Sequence, residues 1–162
     1  MENKKQTLQV LAKMPLWNER KFAQCCFFIG DAVIGDFEQH MLLGSFDLAI
    51  RDLIDRLKNV PDYDFQFSKK TEKVFNGMSE AFLHGNFDFF QKIPGYTETH
   101  ELAPNEFSAI PLAVEAFDGE EAYLFKFGTQ WRFAWRQWET KKVNCISLDR
   151  DEFIESLKSV LI

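Results

Sequence analysis

The apolar positions of this chain fall into two kinds of period. Phe22-Ala23-Gln24-Cys25-Cys26-Phe27-Phe28-Ile29 is apolar on both alternating faces, as in a strand covered on both sides. Gly30-Asp31 then marks a two-residue turn, and Ala32–Phe37 is expected to return as the second strand of a hairpin. From Phe46 the period changes. Phe46, Ala49, Ile50, Leu53, Ile54 and Leu57 share one side of a helix, with Asp47, Arg51, Asp52, Asp55 and Arg56 on the other. Ser45 is placed to cap it, and Pro61 lies beyond its end. A second helix is expected over about Lys69–His84, with Val74, Met78, Ala81 and Phe82 inward and Gly85 as its terminating glycine, although Gly77 weakens the pattern.

Between Asn86 and Pro104 the pattern is hard to read; Phe87, Phe89 and Phe90 suggest a short strand, and Pro94-Gly95 a turn. The last third is more regular. Ile110–Phe117 reads as a strand, Asp118–Glu121 as a turn, and Ala122–Phe127 as a strand with Tyr123, Phe125 and Phe127 on one face. Trp131–Trp138 alternates rings with Arg132, Ala134 and Arg136, the period of a half-solvated antiparallel strand. Val143–Leu148 is a further strand. Asp149 and Glu152 then form a capping-box variant, with Leu148 and Phe153 as the staple, ahead of a helix facing inward through Phe153, Ile154, Leu157, Val160 and Leu161. The expected architecture is α+β: antiparallel sheet or sheets of about six strands, packed against two or three amphipathic helices. With 162 residues one domain is expected, residues 1–20 forming an N-terminal extension.

Composition sharpens this picture. Eighteen Phe and four Trp indicate an aromatic core. Cys25, Cys26 and Cys145 are an odd number, two of them adjacent in an apolar run, which points to reduced, buried thiols and a cytoplasmic setting. No apolar run approaches the length of a membrane span. The net charge is −6, which disfavours nucleic acid as a partner and favours a basic one.

The motifs of chemistry are sparse. There is no zinc spacing, phosphate-binding glycine loop or nucleophile elbow, so no enzyme activity, metal or cofactor is expected. His40, His84 and His100 are scattered, and Asp62 and Asp64 read as a solvated turn. What stands out is the placement of charge. Ile93–Phe125 lacks Lys and Arg and carries Glu98, Glu101, Glu106, Glu115, Asp118, Glu120 and Glu121, a local charge of −7. Phe22–Ile50 also lacks them and carries Asp31, Asp36, Glu38 and Asp47. Dispersed, such acids would simply solvate loops; gathered together, they would form a recognition surface for a basic partner, with Tyr96, Phe107, Phe117 and Trp138 as candidate anchors. The expected contacts are Glu98–Glu121 first, then Asp31, Asp36 and Glu38.

The segments FFIGDAVIGDF and GSFDLAIRDLIDRL, with the ending FDGEEAYLFKFGTQWRFAWRQW and LDRDEFIESLKSVLI, resemble immunity protein family 42. The resemblance covers roughly Phe22–Leu57 and Val114–Ile162. It implies a bacterial protein encoded beside a polymorphic or contact-dependent growth inhibition toxin, binding that toxin's C-terminal domain in the cytoplasm and blocking its active site. Many such toxins are nucleases with basic surfaces. Two rivals stay open: a small-molecule-binding module with an aromatic-lined pocket, and an enzyme using Asp62, Asp64 and His84 or His100.

Overall fold

The computed structural model describes residues 7–13, 22–97 and 104–161. It is an α+β fold with two antiparallel sheets, one of four strands and one of three. Among the described residues the strands number seven rather than about six. The chain divides into two compact units, the first made of 1–58, 110–120 and 149–162, the second of 59–109 and 121–148.

In the first unit, β1 (Leu8–Lys13) pairs antiparallel with β2 (Phe22–Ile29), Leu8 opposite Ile29. β3 (Ala32–Ile34) returns through the Gly30-Asp31 turn, as the hairpin pattern predicts, but it stops short of the expected Phe37, where Gly35 takes a positive φ of 95°. A two-residue β4 (Met41–Leu42) pairs with the start of β2 and runs directly into α1 (Leu43–Lys58). The helix therefore begins ahead of Ser45, which lies within its first turn and is not its cap. Its buried residues are the six that the 3.6-residue period selects, Phe46 through Leu57. Arg56 is largely buried; it pairs with Asp52 at 2.9 Å and donates to the Ile110 carbonyl at 3.0 Å.

The expected strand at Ile110–Phe117 is absent. Pro111 has no N–H to donate, and Ala113 adopts a positive φ of 59°, so a ladder cannot run through the segment. It is irregular up to a 3-10 turn at Glu115–Phe117, although Ile110, Val114, Ala116 and Phe117 are buried as a strand's core residues would be. Phe27 joins this unit's elements, its ring lying 5.1 Å from Phe117 and 5.7 Å from Phe153.

The second unit holds a 3-10 turn at Phe65–Ser68, α2 (Thr71–His84), a single-turn α3 (Asp88–Gln91) and the sheet of β5 (Ala122–Phe127), β6 (Gln130–Arg136) and β7 (Val143–Leu148). Gly85 ends α2 in the left-handed conformation, its N–H returning to the Ala81 and Glu80 carbonyls. Phe75 is buried in α2, whereas the expected Phe82 is 40% exposed. Phe87–Phe90 is a turn of helix and not a strand. Asn86 accepts from the Asp88 N–H, an Asx-type start that favours helix over strand. Gly77 has a packing role that its low propensity hides: a Cβ there would overlap the Phe89 ring. β6 stops at Arg136, short of Trp138, and Ala134 is buried alongside Phe133 and Trp135, so both of its faces are covered in the middle.

In the first unit, α4 (Arg150–Lys158) starts on Asp149 as its sequence predicts. The Asp149 carboxylate accepts from the N–H of Asp151 at 2.9 Å and of Glu152 at 3.1 Å. Replacing Asp149 with Ala is expected to cost about 1 kcal/mol, read as a lower denaturant midpoint at unchanged slope, with Asp149→Ser retaining most of the cap.

Candidate functional site

The acidic stretches that lie far apart in sequence meet in the first unit. After β3 the chain turns at Gly35, whose φ is 95°. A Cβ at that position would approach the Phe117 ring at 2.9 Å, so both the backbone angle and the space require glycine. This close approach lets the Asp36 N–H donate to the Ala116 carbonyl at 2.6 Å. It also lets the Gly35 N–H donate to Glu120 Oε1 at 3.1 Å. Asp36 in turn accepts from the Glu38 N–H at 3.0 Å, an Asx turn that sets Glu38 beside it.

Asp36, Glu38, Glu115 and Asp118 are exposed on these two adjoining segments, and Asp31 is exposed at the tip of the β2–β3 turn. Glu120 is different. It is half-buried, and desolvation raises its carboxyl above the ordinary range, against the opposing pull of the Gly35 N–H.

The other expected contact residues are placed elsewhere. Glu121 is in the second unit, where Ser79 Oγ lies 2.9 Å from each of its carboxylate oxygens. Ser79 is itself buried, and nothing in the sequence marks this pair. Glu106 is half-buried in the second unit, and burial raises its carboxyl. Glu98 and Glu101 lie outside the described residues. Of the expected anchors, Phe107 and Phe117 are core residues, 0% and 3% exposed. Trp138 is exposed, with Lys141 Nζ 4.5 Å from its ring centre, and Tyr96 is half-buried.

The candidate chemical groups have structural roles. Asp62 pairs with Lys126 at 2.9 Å. Asp64 caps the Phe65–Ser68 turn through the Gln66 N–H and accepts from the Gly128 N–H at 2.8 Å. His40 and His84 are exposed, and His100 lies outside the described residues. Cys25 and Cys26 are fully buried; burial pushes the Cys25 thiol up to about 12 and raises that of Cys26, so neither is a thiolate at neutral pH. Among the described residues no group of three or more His, Cys, Asp or Glu could hold a metal ion, and no helix is long and apolar enough to cross a membrane.

Fold and site together describe an α+β protein of antiparallel sheets, with four exposed carboxylates, Asp36, Glu38, Glu115 and Asp118, carried on two adjoining segments of its first unit. The chain belongs to the immunity protein 42 family, whose model matches residues 7–162, including the middle that the sequence resemblance left uncovered. No curated protein and no solved structure matches it. Family membership fits an immunity protein, implies a cognate toxin as partner and points to a non-catalytic role.

Proposed function

We propose that this chain neutralises a basic toxin domain, a nuclease in the bacterial cytoplasm, by docking the Asp36–Glu38 and Glu115–Asp118 segments onto it and covering its active site. The observation that carries the reading is the Asp36 N–H to Ala116 carbonyl bond, which holds two acidic stretches about eighty residues apart in one place. Carboxylates gathered on adjoining segments favour a cationic partner. Fields of this kind raise association rates by ~10–10³. Glu120, half-buried and bonded to the Gly35 N–H, adds charge without needing contact. Val33, 50% exposed in the short strand between Asp31 and Asp36, supplies an apolar anchor in place of the buried Phe117.

The test is to purify the chain together with the toxin domain encoded beside it. Mixing is expected to give a stoichiometric complex, abolish the toxin's activity, and show an association rate that falls steeply as salt rises. Full toxin activity in the presence of excess chain would rule the reading out.

A further inference from the structure

A second feature lies in the second unit and has no part in that docking surface. A cleft of about 640 Å³ runs along α2, within the size range of small-molecule sites. One wall is aromatic: the half-buried rings of Phe67 and Phe89 lie 5.8 Å apart and 27° from parallel. Gly77 leaves the room that Phe89 occupies against the helix. The polar lining includes Lys69, Lys73 and Lys92 against a single acid, Glu80, with Asn76 and Asn86 among the rest. In a chain of net charge −6, a local excess of two positive charges runs against the general field.

The three lysines form no ion pair among the described residues, although carboxylates outnumber bases in the chain. Lys69 has a left-handed backbone, φ 65°, where Gly or Asn would be unstrained. No side chain caps the N-terminus of α2 next to it, since Lys70 occupies the cap position.

We propose that this cleft binds a nucleoside phosphate, its base against Phe67 and Phe89 and its phosphate held by Lys69, Lys73 and Lys92. Flat rings suit a base of any identity, because every base has a π-face. Ammonium groups suit a phosphate, and the amides of Asn76 and Asn86, whose oxygens accept from Arg136 and from the Asp88 N–H, have NH2 groups that can donate to base or ribose. An acidic peptide would use the lysines but has no general need of the aromatic wall. A nucleic-acid strand would extend beyond the cleft and meet the repulsion of the whole chain.

The experiment is an amide NMR titration of the intact chain with adenosine monophosphate, and separately with adenosine, inorganic phosphate and a short single-stranded oligonucleotide. Adenosine monophosphate is expected to bind saturably, shifting the amides of Lys69–Gly77. Adenosine and phosphate are each expected to bind at least tenfold more weakly, because each supplies half of the contacts. Exchanging both Lys69 and Lys73 for Gln is expected to weaken binding at least tenfold while leaving the free protein's spectrum folded, since both side chains are exposed. Gly77→Ala, which displaces Phe89, serves as the second variant and is expected to weaken binding of adenosine monophosphate more than that of phosphate.

Phosphate binding as tightly as the nucleotide would reduce the cleft to an anion site and overturn the proposal. Tighter binding of the oligonucleotide would make it part of a strand-binding surface and overturn the assignment equally. So would the absence of saturable binding up to about 5 mM, well above the range of ordinary metabolite affinities. None of these outcomes bears on toxin docking, which is read from the first unit's acids.

Discussion

Reversing Asp36, Glu38, Glu115 and Asp118 to lysine together is expected to slow association with the toxin domain by ~10–10³, equivalent to about 1.4–4 kcal/mol if dissociation is unchanged. Four charges go from −1 to +1, so the local field changes sign as well as strength. The salt dependence should follow: association that falls with salt in the parent should become flat or rise in the variant. These four are chosen because their side chains are exposed, so the exchange adds no buried charge. Glu121 is omitted because its carboxylate is engaged with Ser79, and Glu120 because it is half-buried and holds the Gly35 N–H. Asp36 needs a control, since its carboxylate also accepts from the Glu38 N–H. Asp36→Asn keeps that acceptor and removes only the charge, separating electrostatics from loop structure. Stopped-flow association at several ionic strengths decides the matter. An unchanged rate in the fourfold variant, with the fold intact, would mean that these acids serve solubility alone.

Much of the scaffold was legible where periodicity and turn chemistry agree. The α1 face, the hairpin at Gly30-Asp31, the strands 122–127 and 143–148, and the Asp149 cap all follow from short-range pattern. The failures have separate causes. Ile110–Phe117 is apolar enough for a strand, but burial does not require a ladder, and Pro111 with the positive φ of Ala113 prevents one. β1 carries period two through Leu8, Val10 and Ala12, yet Leu11 on the alternate face is apolar and 42% exposed, which blurs the alternation. The acids were visible but their meeting was not. It depends on Gly35 approaching Phe117, a contact between positions 82 apart that no local rule reports. Glu120 and Glu121 are neighbours with different hydrogen-bond partners, Gly35 and Ser79, and the sequence treats them alike.

Replacing Phe65 with Ala is expected to destabilise the second unit by about 3–5 kcal/mol, a large share of the ~5–15 kcal/mol that holds a typical domain folded. Phe65 is fully buried, and four rings surround it. Phe89 stacks on it at 6.0 Å and 9°, Phe107 and Phe125 meet it edge-on at 5.6 and 5.8 Å, and Phe67 lies 6.3 Å away. The size of the loss depends on whether the hole can close. Here the backbone at Phe65 is pinned from the preceding residue: Asp64 accepts from both the Gln66 and Gly128 N–H groups and is bridged to Lys126 of β5. Phe125 is fixed in β5 and Phe107 in the 3-10 turn at Pro104–Phe107. With its walls on separately anchored elements the cavity should persist, placing the cost toward the upper end. Phe65→Leu retains most of the volume and should cost no more than about 1.5 kcal/mol. Denaturant unfolding followed by tryptophan fluorescence is well placed to report this, because Trp131, Trp135 and Trp138 all belong to the second unit. A loss below about 1 kcal/mol for the alanine variant would mean that the ring cluster collapses around the gap, against a core held rigid by Asp64 and the β5–β6 sheet.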